Sequence, residues 1–231
     1  MLIAHPIPGK GKSSMLCAAF IDGAPRSAAG HVFYGTLGEP LRIYRQALLK
    51  GEPCWLIDNS YFDSVRGQQF RVTLNTLQVM GARNRESDGK RFDALGLAIK
   101  DWNPTPGGPL VVCHQSEAFM RDIACDPFWV HRKIADTLGT VPLRQRPWLR
   151  DKMVQQSTLV EDLRGAAGLL THSSAAAVSA LLEGVPAITH YSSAVFGCGA
   201  SERLHFMNVL ADRQFTLNEL KDGTAWRLLN R

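Results

Sequence analysis

Gly168-Leu169-Leu170-Thr171-His172-Ser173-Ser174-Ala175-Ala176-Ala177-Val178-Ser179-Ala180-Leu181-Leu182-Glu183-Gly184-Val185-Pro186-Ala187-Ile188-Thr189 reads as strand, turn, helix, turn and strand. Gly168–Thr171 is a short apolar run. The Ala-rich stretch 175–183 then sets Val178, Leu181 and Leu182 at helical spacing, and Gly184 and Pro186 stop the helix before a second apolar run at Pro186–Thr189. A crossover helix between two short strands is the signature of a parallel βαβ unit. Ser173 and Ser174 stand where the helix needs its N-cap, and the first helical turn carries unpaired N–H groups and the positive end of the helix dipole. With small residues at 175–177, this turn is a candidate seat for a phosphate or pyrophosphate. Glu183, at the far end of the helix, is a candidate partner for ribose hydroxyls. A plain capped helix with Gly184 as C-cap explains the same residues without a ligand.

Outward from this segment, short apolar runs alternate with helical patterns. Strands are expected at Leu2–His5, His31–Tyr34, Cys54–Ile57, Leu110–Cys113 and Val141–Leu143, and helices at Pro40–Leu49, Phe128–Leu138 and Phe215–Leu229. Several strands are apolar without alternation, as in sheets covered on both faces. Asp101-Trp102-Asn103-Pro104-Thr105-Pro106-Gly107-Gly108-Pro109 continues neither helix nor central strand and predicts a boundary. The expected organisation is α/β: two small Rossmann-like domains, 1–103 and 104–212, with parallel sheets, and a closing helix within 213–231. Gly9-Lys10-Gly11-Lys12-Ser13-Ser14 has Pro6 where a phosphate-binding Walker loop needs glycine, so it reads as a Gly-rich turn.

Composition narrows the function. The 231 residues are 45% hydrophobic and 20% charged, which excludes a disordered chain. No run is long and apolar enough to span a bilayer, and Met1–Pro6 lacks the order of a signal peptide, so a cytoplasmic enzyme is expected. Five scattered cysteines without a Cys-x-x-Cys pair read as free thiols, and seven histidines show no metal-ligand spacing, so no metal is expected. His114, His172 and His190 each follow a strand and read first as hydrogen-bonded structural residues. The net charge of +5 is concentrated: residues 1–100 hold 13 Lys+Arg against 8 Asp+Glu, and the remainder 13 against 13. An anionic partner is therefore expected at the first part, where Arg83, Arg85, Lys90 and Arg91 form a basic loop.

The Ser173-Ser174 to Gly184-x-Pro186 segment resembles the donor-binding motif of GT-B-fold glycosyltransferases, and most closely those of capsule-polysaccharide type and related bacteriophage-encoded proteins. Asp58-Asn59-Ser60-Tyr61-Phe62-Asp63 with Phe70-Arg71-Val72-Thr73, Cys113-His114-Gln115-Ser116, Arg144-Gln145-Arg146-Pro147 and Leu210–Leu217 through Ala225-Trp226 agree with that group in order. The resemblance implies a donor site in which His172, Ser173, Ser174 and Ala175 hold the donor phosphates. It implies that Glu183 holds the ribose, that Gln115 and Ser116 line the cleft, and that Arg144 or Arg146 neutralises the leaving group, with Arg146 counted as catalytic and Arg144 as donor-binding. Asp58, at a strand end, is the candidate general base, with Asp63 and Asp22 as rivals. A nucleotide-sugar is the implied co-substrate, with no further cofactor. The basic loop and the phage-type resemblance together point to hydroxymethylated pyrimidines in DNA as acceptor, in a host cytoplasm. A surface or capsule-type glycan, a nucleotide-sugar epimerase and a non-catalytic binding module are the alternatives.

Overall fold

The computed structural model describes residues 1–35, 38–115, 120, 126–137, 141–146 and 157–230. The chain is α/β and divides into two compact units, Met1–Val79 with Leu210–Arg231, and Met80–Val209.

The first unit holds a five-stranded sheet in the order β1-β2-β3-β4-β9, where β1 is Leu2–His5, β2 Gly30–Tyr34, β3 Cys54–Asn59, β4 Gln69–Leu74 and β9 Gln214–Thr216. β1, β2 and β3 are parallel; β4 runs antiparallel to β3, and β9 antiparallel to β4. α1 (Gly11–Gly23) and the two terminal helices α8 (Leu217–Lys221) and α9 (Thr224–Leu229) cover one face through Leu16, Phe20, Trp55, Phe215, Leu220 and Ala225. A side chain at Gly23 would meet the Leu220 carbonyl oxygen at 2.1 Å, so glycine there lets α1 and the terminal helices touch. α2 (Glu39–Leu49) covers the other face with Leu41, Tyr44 and Ala47 against Phe33 and Leu56.

The second unit holds an all-parallel sheet in the order β6-β5-β7-β8: β6 is Leu143–Arg146, β5 Leu110–Cys113, β7 Gly168–Thr171 and β8 Ala187–Thr189. The inner strands β5 and β7 are apolar but for Thr171 and, apart from the half-buried Cys113, buried on both faces, as the unalternating runs predict. The remaining helices are α3 (Lys90–Asp93), α4 (Trp129–Thr137), α5 (Leu159–Leu163), α6 (Ala176–Leu182) and α7 (Arg203–Ala211). α4 packs on the sheet through Val130 and Ile134 against Leu110, Val112 and Leu170.

Several expectations are corrected. The Gly-rich turn ends after two residues, because α1 starts at Gly11 and Ser13 turns inward, its Oγ accepting the Ile7 N–H at 2.8 Å. β6 lies at 143–146 rather than 141–143; as an edge strand it needs few apolar side chains. The closing helix expected over 215–229 is β9 and two short helices, because Gly223 takes a φ of +81° and interrupts it. The division of the chain also differs from a boundary at 103/104. Lys100 N–H donates to Leu182 O at 2.8 Å, Asn103 N–H to Gly184 O at 2.9 Å and Thr105 N–H to Ala166 O at 2.9 Å, so the Pro-Gly stretch is docked along the second unit. The terminal residues from Leu210, in turn, complete the first unit's sheet through β9.

Candidate functional site

Parallel sheets present their ligand-binding loops at the carboxyl ends of their strands. In the second unit the ends of β5 and β7 are joined there. Thr171 Oγ1 donates to Cys113 O at 2.8 Å. Gln115 Oε1 accepts the Ser173 N–H at 3.1 Å, and Gln115 Nε2 donates to Ser173 Oγ at 3.3 Å. Ser174 Oγ accepts the Ala176 N–H at 3.2 Å. Among the described residues, no acceptor meets the N–H groups of Ser174 and Ala175. Among the described residues the turn therefore carries two open donors next to Ser173, which Gln115, just past the neighbouring strand, holds in place. The structure thus brings together Gln115, Ser173, Ser174 and Ala175; Ser116 lies outside the described residues.

His172 has a different place. It is fully buried, stacked on His190 with ring centroids 4.2 Å apart and met edge-on by Trp129 at 5.7 Å. Its Nδ1 lies 3.1 Å from Ser173 Oγ, and its Nε2 has no partner among the described residues. Burial, and then the neighbouring His190, pushes its pKa down to about 4, so the ring is neutral at neutral pH. His172 packs beneath the turn and sets its shape. His114 is likewise a bonded residue, its Nε2 3.2 Å from Gln145 Oε1.

Glu183 is not brought to the turn. It caps the opposite end of α6, a helix of seven residues and so about 10 Å long at 1.5 Å per residue. Its carboxylate pairs with Lys100 Nζ at 2.6 Å. The adjoining Gly184 has a φ of +81°, and a Cβ on it would meet Asp101 O at 1.9 Å. The Glu-Gly-x-Pro ending is thereby accounted for by the docking of the 101–103 segment. Arg144 and Arg146 are also engaged: Arg144 Nη1 donates to Asp162 O at 2.5 Å, Arg146 Nη1 to Thr158 O at 3.1 Å, and the Arg146 guanidinium pairs with the buried Asp162 carboxylate. Both arginines tie the edge strand β6 to α5. Lys100 and Asp162 carry no local motif, which is why sequence reasoning missed them.

In the basic loop, Arg83 pairs with Glu202 at 2.7 Å and donates to Gly197 O, Lys90 pairs with Asp88 at 2.8 Å, and Arg85 Nε donates to Met80 O at 3.0 Å. Arg91 is also engaged. The loop belongs to the second unit.

In the first unit, Asp58 ends β3 as expected, but Arg71, its register partner on β4, holds Asp58 Oδ2 at 2.5 Å while Asp58 Oδ1 accepts the Asn59 N–H at 2.7 Å. A chain of side chains that sequence reasoning did not single out crosses β1 and β2. His5 Nε2 lies 2.8 Å from His31 Nδ1, and His31 Nε2 lies 2.9 Å from Glu52 Oε2. The cysteines Cys17, Cys54 and Cys198 are buried free thiols, with burial pushing Cys17 and Cys198 up to about 12; Cys113 is half-buried and free, and Cys125 lies outside the described residues. Among the described residues, no cluster of His, Cys, Asp or Glu could hold a metal ion, and no helix is long and apolar enough to cross a membrane.

Fold and site define an α/β protein with one mixed and one all-parallel Rossmann-like sheet, and a braced turn at the carboxyl edge of the parallel one. No protein-family model and no curated protein matches the chain. Among solved structures it is similar to KpsC of Thermosulfurimonas dismutans, a beta Kdo 2,4 transferase, with a TM-score of 0.55 and 12% identity over 99% of this chain and 98% of that one. At that identity the likeness is one of fold.

Proposed function

We propose that the chain is a glycosyltransferase that moves a sugar from a nucleotide-sugar to a hydroxyl of an acceptor saccharide. The observation that carries this reading is the turn at the end of β7. There Gln115, just past the end of β5, holds Ser173, and among the described residues no acceptor meets the N–H groups of Ser174 and Ala175. Sugar transfer builds negative charge on the leaving phosphate, and rigid backbone donors in place before the reaction stabilise that charge without reorganising. The similarity in fold to a Kdo transferase supports the same reading.

In this proposal Gln115, Ser173, Ser174 and Ala175 hold the donor phosphate. Arg144 and Arg146 support the strand that frames the site, and Glu183, paired with Lys100, stays outside it. A DNA acceptor loses the ground on which it was expected, because Arg83 and Lys90 are neutralised by Glu202 and Asp88. Phosphate contacts require cations free to replace counterions.

The test is release of the nucleotide product from a panel of nucleotide-sugars, with saccharide acceptors, with hydroxymethylated duplex DNA, and with neither. Saccharide-dependent release is expected. DNA-dependent release would restore DNA as the acceptor, donor isomerisation without acceptor would identify an epimerase, and absence of donor binding would end the reading.

A further inference from the structure

The positive excess of residues 1–100 points to an anionic partner, and the basic loop does not serve one, because Arg83 and Lys90 are paired with Glu202 and Asp88. In the first unit Arg42, Arg66 and Arg71 are likewise paired, with Glu39, Asp63 and Asp58. Lys12, in the Gly-rich stretch 9–14, differs from them. It is exposed, and among the described residues no carboxylate or hydrogen-bond acceptor engages its ammonium. Its Nζ stands instead over the rings of Phe70 and Tyr34, 4.8 and 5.6 Å from their centroids. Ring faces attract a cation without cancelling its charge, so the ammonium is held in place and stays available to an anion.

The residues around it come from strand ends. Tyr34 closes β2, Asn59 closes β3, and Phe70 is the register partner of Asn59 on β4. Tyr34 and Phe70 both pack in the core beneath α1, and Lys12 lies in the first turn of that helix. The Tyr34 hydroxyl donates to Asn59 Oδ1 at 3.3 Å, which leaves the two N–H groups of Asn59 Nδ2 open among the described residues. Asp58, the neighbouring carboxylate, faces the other side of the sheet, where Arg71 holds it. A Cβ added at Gly9 or Gly11 would meet nothing within 4 Å, so there is room beside the lysine. A fixed cation, a phenol oxygen and an amide with open donors thus meet at the carboxyl ends of β2 and β3, with no carboxylate among them. Such a set suits a saccharide that bears an acid: hydroxyls meet the amide and the phenol, and the acid meets the ammonium.

We infer that the first unit binds a saccharide carrying an acidic group, carboxylate or phosphate, with Lys12 holding the acid and Asn59 and Tyr34 the hydroxyls. The binding concerns this unit alone. Its meaning, that the acceptor is an acidic saccharide, rests on the glycosyltransferase reading above. A neutral saccharide of the same shape lacks the charge-assisted bond, so Lys12 sets the preference for the acid.

Calorimetric titration of the full chain with disaccharides that differ only at the terminal sugar tests this: glucose, glucuronate and glucose 6-phosphate. At least one acidic probe should bind about 10-fold or more tighter than the neutral one, the share of one hydrogen bond to a charged group. The tighter acid names the group. The preference should shrink as salt rises, because the site is exposed. K12Q should bring the acidic and neutral probes within about 2-fold of each other without weakening the neutral one. K12R, which keeps the charge, should retain the preference. An unchanged circular dichroism spectrum of K12Q shows that the fold is kept. Equal binding of acidic and neutral probes, binding of none, or a preference that survives K12Q overturns the inference. Acid binding through Lys12 in a chain without nucleotide-sugar affinity ends the glycosyltransferase reading and leaves this site standing. Nucleotide release that is equal with neutral and acidic acceptors keeps that reading and ends this one.

Discussion

Replacing Gly184 by alanine isolates the reason for the Glu-Gly-x-Pro ending. The residue sits at φ +81°, and its added Cβ would lie 1.9 Å from Asp101 O, which is backbone and can retreat only by moving the 101–103 segment. Holding a non-glycine residue in the left-handed region costs about 1–2 kcal/mol. Displacing the segment also endangers the Asn103 N–H to Gly184 O hydrogen bond of 2.9 Å, worth about 1 kcal/mol. The residual overlap adds strain of about 1–3 kcal/mol, as in overpacked cores. The expected loss is therefore roughly 4 kcal/mol, which at a urea dependence of about 3 kcal/mol per molar moves the unfolding midpoint down by roughly 1 M. Trp102, packed against Arg203 with the guanidinium 5.0 Å from its ring, reports the change by fluorescence. Gly107, in the same stretch, has a φ of +72° and nothing within 4 Å of an added Cβ, so Gly107→Ala serves as the control. It should show only the conformational share, about 1–2 kcal/mol. A midpoint for Gly184→Ala no lower than that of Gly107→Ala would refute the claim that close approach to Asp101 requires the glycine.

Other consequences are open to measurement. Asp162→Ala strands the buried Arg146 guanidinium and should cost about 3–5 kcal/mol, seen in urea unfolding; a loss below about 1 kcal/mol would mean that the pair is solvated. Gln115→Ala removes the brace on Ser173 and should weaken nucleotide-sugar binding by about 10-fold, a loss of about one hydrogen bond. Glu183→Gln should leave that affinity within about 3-fold; calorimetric titration checks both, and the opposite pattern would place the donor at the far end of α6. His172 has its pKa lowered from 6.5 to about 4. The unfolded chain therefore binds a proton in that window that the native chain does not, and the stability from His172 is complete above about pH 6.5 and is lost as pH falls towards 4. Urea midpoints measured from pH 7 to 4.5 should fall, and His172→Asn should flatten the slope; an unchanged slope would show that this ring does not stay neutral when buried.

The sequence by itself determined the local elements whose signals are local. β5 and β7 are legible because strands buried on both faces carry unalternating apolar runs, and α6 because its apolar residues recur at helical spacing before Gly184 and Pro186. The α/β class follows from that alternation. Where chemistry depends on partners far apart in the chain, tertiary structure decided. β4 and β9 pair across more than a hundred residues, and β9 is only three residues long, so nothing within either announces the sheet. The Pro-Gly stretch at 101–109 has the composition of a linker, yet its backbone groups are satisfied by Leu182, Gly184 and Ala166, and only the fold supplies those carbonyls. The same holds at the sites. Ser173 and Ser174 stood out because a capped turn has a composition, but the brace from Gln115 lies 58 residues away. Arg146 and Asp58 looked chemically available until Asp162 and Arg71 were placed beside them. His5, His31 and Glu52 share no spacing that a motif could capture. They meet because β1 and β2 lie side by side in parallel register, an arrangement fixed by burial of the whole sheet.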